Sequence, residues 1–162
     1  MRRVIVNSTP LIALCNADAL HILKDLYGEI VIPEAVYDEV TSKTDSACQQ
    51  IRKEISWIRV EAIHNQIAKR MYQAKLHAGE VEVMILAQEE PVADLLIIDD
   101  NAAKKTAKYL GLTVTGTLGV LVKAKKMGYV DSVNSVLTRM QENGFYVSPS
   151  VVDIVLRQAG EK

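Results

Sequence analysis

Short uninterrupted apolar runs alternate along this chain with longer stretches of mixed polarity, and turn-forming residues separate the two. Arg3 to Val6 reads as a buried strand, because Val4, Ile5 and Val6 are β-branched and carry no polar alternation. Thr9-Pro10 then predicts a helix start, with Thr9 as N-cap and Pro10 where a missing N–H removes no bond, and Asp18 predicts a second helical stretch ending near Gly28. Glu29 to Ile32 is the next expected strand. Pro33 begins a helix through about Val40, and the polar stretch Ser42 to Ser46 leads into another that ends before Trp57. Trp57 to Ile63 alternates as a strand does, and Gln66 to Leu76 has a helical mixture. After His77-Ala78-Gly79 the run Val81 to Ala87 is apolar on nearly every side, the pattern of a buried helix.

Leu95 to Ile98 is the clearest strand, and the helix that follows Asp99-Asp100-Asn101 is stopped by Gly111. Leu112 to Val114 reads as a further central strand, and Thr115-Gly116-Thr117 turns into a helix ending near Gly128. Asp131 is expected to cap a helix closed by Gly144, and Ser148-Pro149 to open the last one. Strands alternating with helices predict an α/β fold: a three-layer α/β/α sandwich about a central parallel sheet. The expectation is one domain over residues 1–162, with about 130–162 a helical C-terminal extension.

Composition narrows the class further. A chain of 162 residues that is 49% hydrophobic suffices for one domain with a true core. Lys+Arg (19) and Asp+Glu (20) nearly cancel, so total charge neither suggests nor excludes a nucleic-acid partner. Two cysteines, Cys15 and Cys48, without CxxC spacing, suggest neither a disulfide framework nor a zinc knuckle. Asn7-Ser8-Thr9-Pro10 interrupts the N-terminal apolar run before it reaches the length of a secretion signal, and charged residues break every candidate membrane span. A soluble, cytoplasmic protein is expected.

The candidate chemistry lies in acids at the edges of the apolar runs: Glu39, Glu80/Glu82 and Asp99-Asp100, with the polar Asn7 closing the first strand. In an open α/β sheet ligands bind outside the carboxyl ends of the strands, where Asn7 and the Asp pair fall. Asn7 can offer an amide oxygen or serve as a turn residue, and Ser8 and Thr9 can add hydroxyls or act as caps. Glu39 flanks the apolar face of its helix and can reach inward, whereas Asp38 lies on the other flank. Glu80 and Glu82, two apart on a helix, point to nearly opposite sides. Glu80 suits the first helical turn; Glu82, set among apolar residues, requires a metal or a basic partner. Of Asp99 and Asp100, one is expected to face the site and the other to cap the next helix. Clustered carboxylates suit Mg²⁺ or Mn²⁺ better than zinc, and such ions support phosphodiester hydrolysis.

From Asn101 to Val130 the chain carries Lys104, Lys105, Lys108, Lys123, Lys125 and Lys126 and neither Asp nor Glu, a basic footprint beside the Asp pair. Thr115 and Thr117 on the adjoining turn can bond phosphate or act as caps. Gly116-Thr117-Leu118-Gly119 lacks the ending of a P-loop.

These residues together resemble the PIN-domain family, the small metal-dependent ribonuclease fold of many prokaryotic toxins. The likeness rests on Val4–Ile12, on Ile32–Val40, on Gly79-Glu80-Val81-Glu82 and on Leu96–Asp100, and it is closest to a PIN-like branch that carries a segment matching Thr115–Gly119. The resemblance implies an α/β/α sandwich binding Mg²⁺ or Mn²⁺, a single-stranded RNA substrate, a homodimer and a small antitoxin partner. Glu39, Glu82 or Glu80, and Asp100 or Asp99 match its acidic positions. Asn7 stands where the family normally has Asp, which weakens a cation site, and Lys104 and Lys105 stand where relatives often have arginine. The leading expectation is an endoribonuclease with Asn7, Glu39, Glu82 and Asp100 at the metal and Lys104, Lys105, Lys108, Thr115 and Thr117 on the RNA. The alternative is a catalytically silent PIN-like module that binds nucleic acid or protein, and a less favoured third is a phosphatase on a similar sheet.

Overall fold

The computed structural model describes residues 3–72, 77–89 and 93–162. Five strands, β1 (Arg3–Val6), β2 (Ile30–Pro33), β3 (Ile58–Glu61), β4 (Ala93–Ile97) and β5 (Val114–Thr115), form one sheet in the order β3-β2-β1-β4-β5. Every pairing is parallel, with Ile5 opposite Val31, Val6 opposite Ile97, and Leu96 opposite Val114. Among the described residues ten helices complete the α/β/α arrangement: α1 (Ser8–Asn16), α2 (His21–Tyr27), α3 (Glu34–Thr41), α4 (Ser46–Lys53), α5 (Gln66–Tyr72), α6 (Ala78–Glu89), α7 (Asn101–Tyr109), α8 (Thr117–Lys126), α9 (Val133–Glu142) and α10 (Pro149–Gln158). None is long and apolar enough to cross a membrane.

The buried β1 and β2 and the all-round apolar α6 form the centre. α6 packs on β1, β2 and β4 and is covered in turn by α3 and α5. Val81, Val83 and Met84 are fully buried there, each contributing about 1.5–3 kcal/mol relative to exposure. α8 packs against α1 and α2; α9 rests on α1 and α8, and α10 on α8. Glu161 anchors the end of the chain by accepting from Val133 N (2.6 Å) and Asn134 N (3.0 Å) at the start of α9, with Lys125 Nζ 3.4 Å away. Cys15 and Cys48 are free and buried; burial, aided by the Asp45 and Asp18 carboxylates, pushes the Cys15 thiol up to about 12.

Several expected boundaries shift for local reasons. Thr9 is not the cap of α1, because Asn7 N–H still bonds Ile97 O at 3.0 Å as the sheet ends, and the helix begins at once with Ser8. Asp18 does not start a helix; at φ 54 it occupies a left-handed turn, and α2 begins at His21. Leu112 is not yet strand, since its N–H wraps back to Ala107 O at 2.9 Å, and β5 starts at Val114. Ser132, not Asp131, caps α9 by accepting from Ser135 N. The helix expected over 66–76 is observed to Tyr72, and its last residues lie outside those described.

Candidate active site

From β1 the chain proceeds to β2 and β3 on one side of the sheet, and from β4 to β5 on the other, so the connections diverge between β1 and β4. Such a switch point opens a crevice at the carboxyl ends of its two strands. Asn7 follows β1 there, and Asp99-Asp100 follow β4 shortly after its end. A cavity of about 240 Å³ opens at this point, lined by Asn7, Glu39, Glu80 and Asp100 together with Ser8, Thr9 and His77.

Each polar side chain is held by a different device. Asn7 stands at the N-cap of α1 in an extended conformation yet makes no cap bond with its side chain, which is only 5% exposed. Its amide is therefore spared for the cavity. Glu39 comes from the last turn of α3, and its Oε2 accepts from Ser8 Oγ at 2.7 Å. Gly79 allows these groups to approach α6: a Cβ there would stand 3.2 Å from Glu39 Oε2 and 3.3 Å from Asn7 Oδ1. Asp100 caps α7 through Oδ2, which accepts from Ala103 N at 2.9 Å, and also lines the cavity.

Glu80 is the most perturbed of the set. Its Oε1 reaches back to His77 N at 3.2 Å, the return bond of a capping box, while Oε2 is buried without a donor. Burial raises its pKa above the ordinary glutamate range, and the neighbouring Asp100 carboxylate raises it further against the opposing pull of the His77 N–H and ring.

Glu82 and Asp99 turn elsewhere. The buried Glu82 carboxylate finds a basic partner, Lys69 Nζ at 2.8 Å, and accepts from Ala35 N at 3.0 Å. Asp99 uses Oδ1 to accept from Thr117 N (2.8 Å) and Oδ2 to accept from Thr117 Oγ1 (2.6 Å), fastening the start of α8 to the end of β4. The expected division of labour between the two aspartates thus takes another form: Asp100 both caps the following helix and lines the cavity, while Asp99 caps a more distant one.

The lysine footprint also divides. Lys123 lies 5.0 Å from the centre of the Tyr27 ring, and Lys125 pairs with Glu161. Lys105 and Lys108 are exposed on α7, and Lys104 is half-buried beside Asp99 in a neighbouring cleft. Thr117 is fully buried with its hydroxyl committed to Asp99, and Thr115 Oγ1 occupies the space a Cβ at Gly119 would need. Ser8 as the support of Glu39 and His77 in the cavity did not emerge from sequence as partners; the three-residue spacing from His77 to Glu80 was the available signal for the latter.

Oxygen donors of this kind belong to hard-cation sites. Among the described residues no three or more His, Cys, Asp or Glu side chains are gathered closely enough to hold a metal ion. The cavity does offer oxygens of the kind a hard cation takes: carboxylates, an amide and the buried Glu80 Oε2, which has no donor.

The fold and crevice define a class, parallel α/β/α domains with an acidic pocket at the switch point. Within that class the family model DUF3368, a PIN domain, matches residues 3–161, and the chain belongs to the PIN-domain family. PIN domains are generally nucleases that bind nucleic acid and usually use divalent metal ions. No curated protein matches the chain.

Proposed function

We propose that this protein is a divalent-metal-dependent endoribonuclease acting on single-stranded RNA, with Mg²⁺ or Mn²⁺ held by Glu39, Glu80 and Asp100 and assisted by Asn7. The observation that carries this reading is the donorless, buried Glu80 Oε2 beside Asp100 at the switch point. When bound, the ion supplies Lewis-acid chemistry, polarising a phosphate oxygen and acidifying water. The chain's own residues supply the rest. Ser8 orients Glu39, the α7 N-terminus steadies Asp100, and Glu80 retains a proton more readily than an ordinary glutamate while the ion is absent. Lys104, Lys105 and Lys108 draw the RNA backbone toward the crevice.

A specific observation favours a second reading, a silent nucleic-acid-binding module: Asn7 contributes a neutral oxygen where a carboxylate would add charge. The two separate in one experiment. Mn²⁺ titration by calorimetry and cleavage of labelled single-stranded RNA are measured for the wild type, Glu80→Gln and Asn7→Asp. Metal binding and cleavage that Glu80→Gln removes support the nuclease, whereas RNA binding without cleavage in all three proteins supports the module. The toxin role, the small antitoxin partner and the homodimer rest on family likeness alone; co-purification and light scattering test them.

A further inference from the structure

A second cleft, of about 370 Å³, lies beyond the end of β4. Asp99 lines it, and the next residue, Asp100, lines the acidic cavity. One wall is the Gly116 turn, where a Cβ would stand 2.8 Å from Asp99 Oδ1 and 2.9 Å from Lys104 Nζ. Glycine here lets the ammonium of Lys104 lie close to the start of α8. Thr117 donates to both Asp99 oxygens, and Lys104, although it lies near the Asp99 carboxylate at the Gly116 turn, makes no direct hydrogen bond or ion pair among the described residues. Its N–H donors are left for a group from outside.

The segment Phe145–Ser148 between α9 and α10 also lines the cleft. Phe145 and Val147 turn toward the core, and Ser148 caps α10 by accepting from Val151 N. Tyr146 does neither: it lines the cleft, is 85% exposed and has no hydrogen-bond partner among the described residues. An exposed ring and an ammonium without a direct partner, lining one cleft, match the two halves of a nucleotide, a π face for the base and a cation for its phosphate. A simple anion would leave the ring unused, and an apolar ligand would leave the ammonium unmatched.

We infer that this cleft is a nucleotide subsite for single-stranded nucleic acid, in which Tyr146 stacks on an unpaired base and Lys104 holds the adjoining phosphate, leading the strand toward the acidic cavity. The inference rests on the nucleic-acid reading above and adds the side chains that select single strands, since a base within a duplex has both faces covered by its neighbours.

The test is fluorescence anisotropy with a short labelled oligouridylate and with a duplex of equal length, in EDTA so that cleavage plays no part. Tyr146→Ala weakens single-strand binding about tenfold and Tyr146→Phe stays within about twofold of wild type. Lys104→Ala lowers the slope of log affinity against log salt by about 0.7. Tyr109→Ala, which removes another highly exposed tyrosine, leaves affinity unchanged. Equal binding by Tyr146→Ala and wild type overturns the subsite, as does an equal loss on duplex, an equal effect of Tyr109→Ala, or absence of oligonucleotide binding by the wild type. Cleavage assayed separately in Mn²⁺ keeps the two readings apart: Tyr146-dependent binding without cleavage overturns only the nuclease, and cleavage with Tyr146-independent binding overturns only the cleft.

Discussion

Glu82 on α6 accepts a hydrogen bond from Ala35 N at 3.0 Å, so a buried carboxylate closes the first turn of the helix that carries Glu39. Pro33 at the N-cap of α3 has no side chain to satisfy that N–H, and Glu82 performs the task from another helix while pairing with Lys69 on α5. Glu82 therefore positions α3, and Glu80 is the residue turned to the cavity. Glu82→Gln keeps an acceptor for Ala35 N but loses the charge, and is expected to lower stability by about 1–2 kcal/mol with Mn²⁺ affinity retained. Glu80→Gln is expected to do the reverse, removing Mn²⁺ binding at little expense to the fold. Denaturant melts alongside calorimetry check both, and a loss of Mn²⁺ binding in folded Glu82→Gln would contradict this assignment.

Gly79 permits a more selective disturbance. An added Cβ would meet Glu39 Oε2 at 3.2 Å and Asn7 Oδ1 and Val36 Cγ2 at 3.3 Å, all closer than comfortable contact. Alanine in a helix is otherwise favoured over glycine by roughly 0.5–1 kcal/mol, which offsets part of the crowding. Gly79→Ala should therefore leave the melting temperature nearly unchanged and reduce Mn²⁺ affinity about tenfold by pushing Glu39 and Asn7 aside. Unaltered metal affinity in this variant would mean that the two oxygens do not serve a common ion.

Much of this arrangement was legible in the chain because it depends on short-range signals. Uninterrupted apolar runs marked β1, β2 and β4, and Ser148-Pro149 marked the start of α10, since each of these is decided by residues within a few positions. The allocation of acids was not legible. Among apolar neighbours Glu82 called for a metal or a basic partner, and the choice between them was not local: the compensating charge comes from Lys69, thirteen residues away on another helix. Asp99 and Asp100 could not be told apart because the deciding partner of Asp99 is Thr117, eighteen residues further on, which the sheet brings beside it. Periodicity places a side chain on a face; only tertiary pairing decides which of two adjacent acids is already occupied.

Asn7→Asp tests the departure from the family pattern in two directions at once. The side chain is 5% exposed and its oxygen lies near Glu39, so a new carboxylate adds like-charge repulsion to a site where Glu80 and Asp100 already repel. Without metal the variant should be less stable than wild type by about 2 kcal/mol. Saturating Mn²⁺ should reverse the order, because the added charge strengthens a hard-cation site, by about tenfold in affinity. Thermal melts with and without Mn²⁺ read both effects, and a metal-free variant as stable as wild type would show that the amide does not face the acids.

The C-terminal clasp predicts a pH dependence of stability that is independent of the cavity. Burial raises the pKa of Glu161, but the N–H groups of Asn134 and Val133 and the Lys125 ammonium outweigh it, and the folded-state value is lowered. A carboxyl group with a lowered folded pKa stabilises the fold above its unfolded pKa, and that contribution disappears as pH falls through the folded value. Glu161→Gln, which keeps an acceptor but not the charge, should lower stability by about 1 kcal/mol at neutral pH. In urea melts repeated at decreasing pH, the gap between variant and wild type should stay constant down to the ordinary glutamate range, about pH 4.3, and then close below it. A gap that persists unchanged in stronger acid would show that lost packing, and not the carboxylate charge at the start of α9, accounts for the effect.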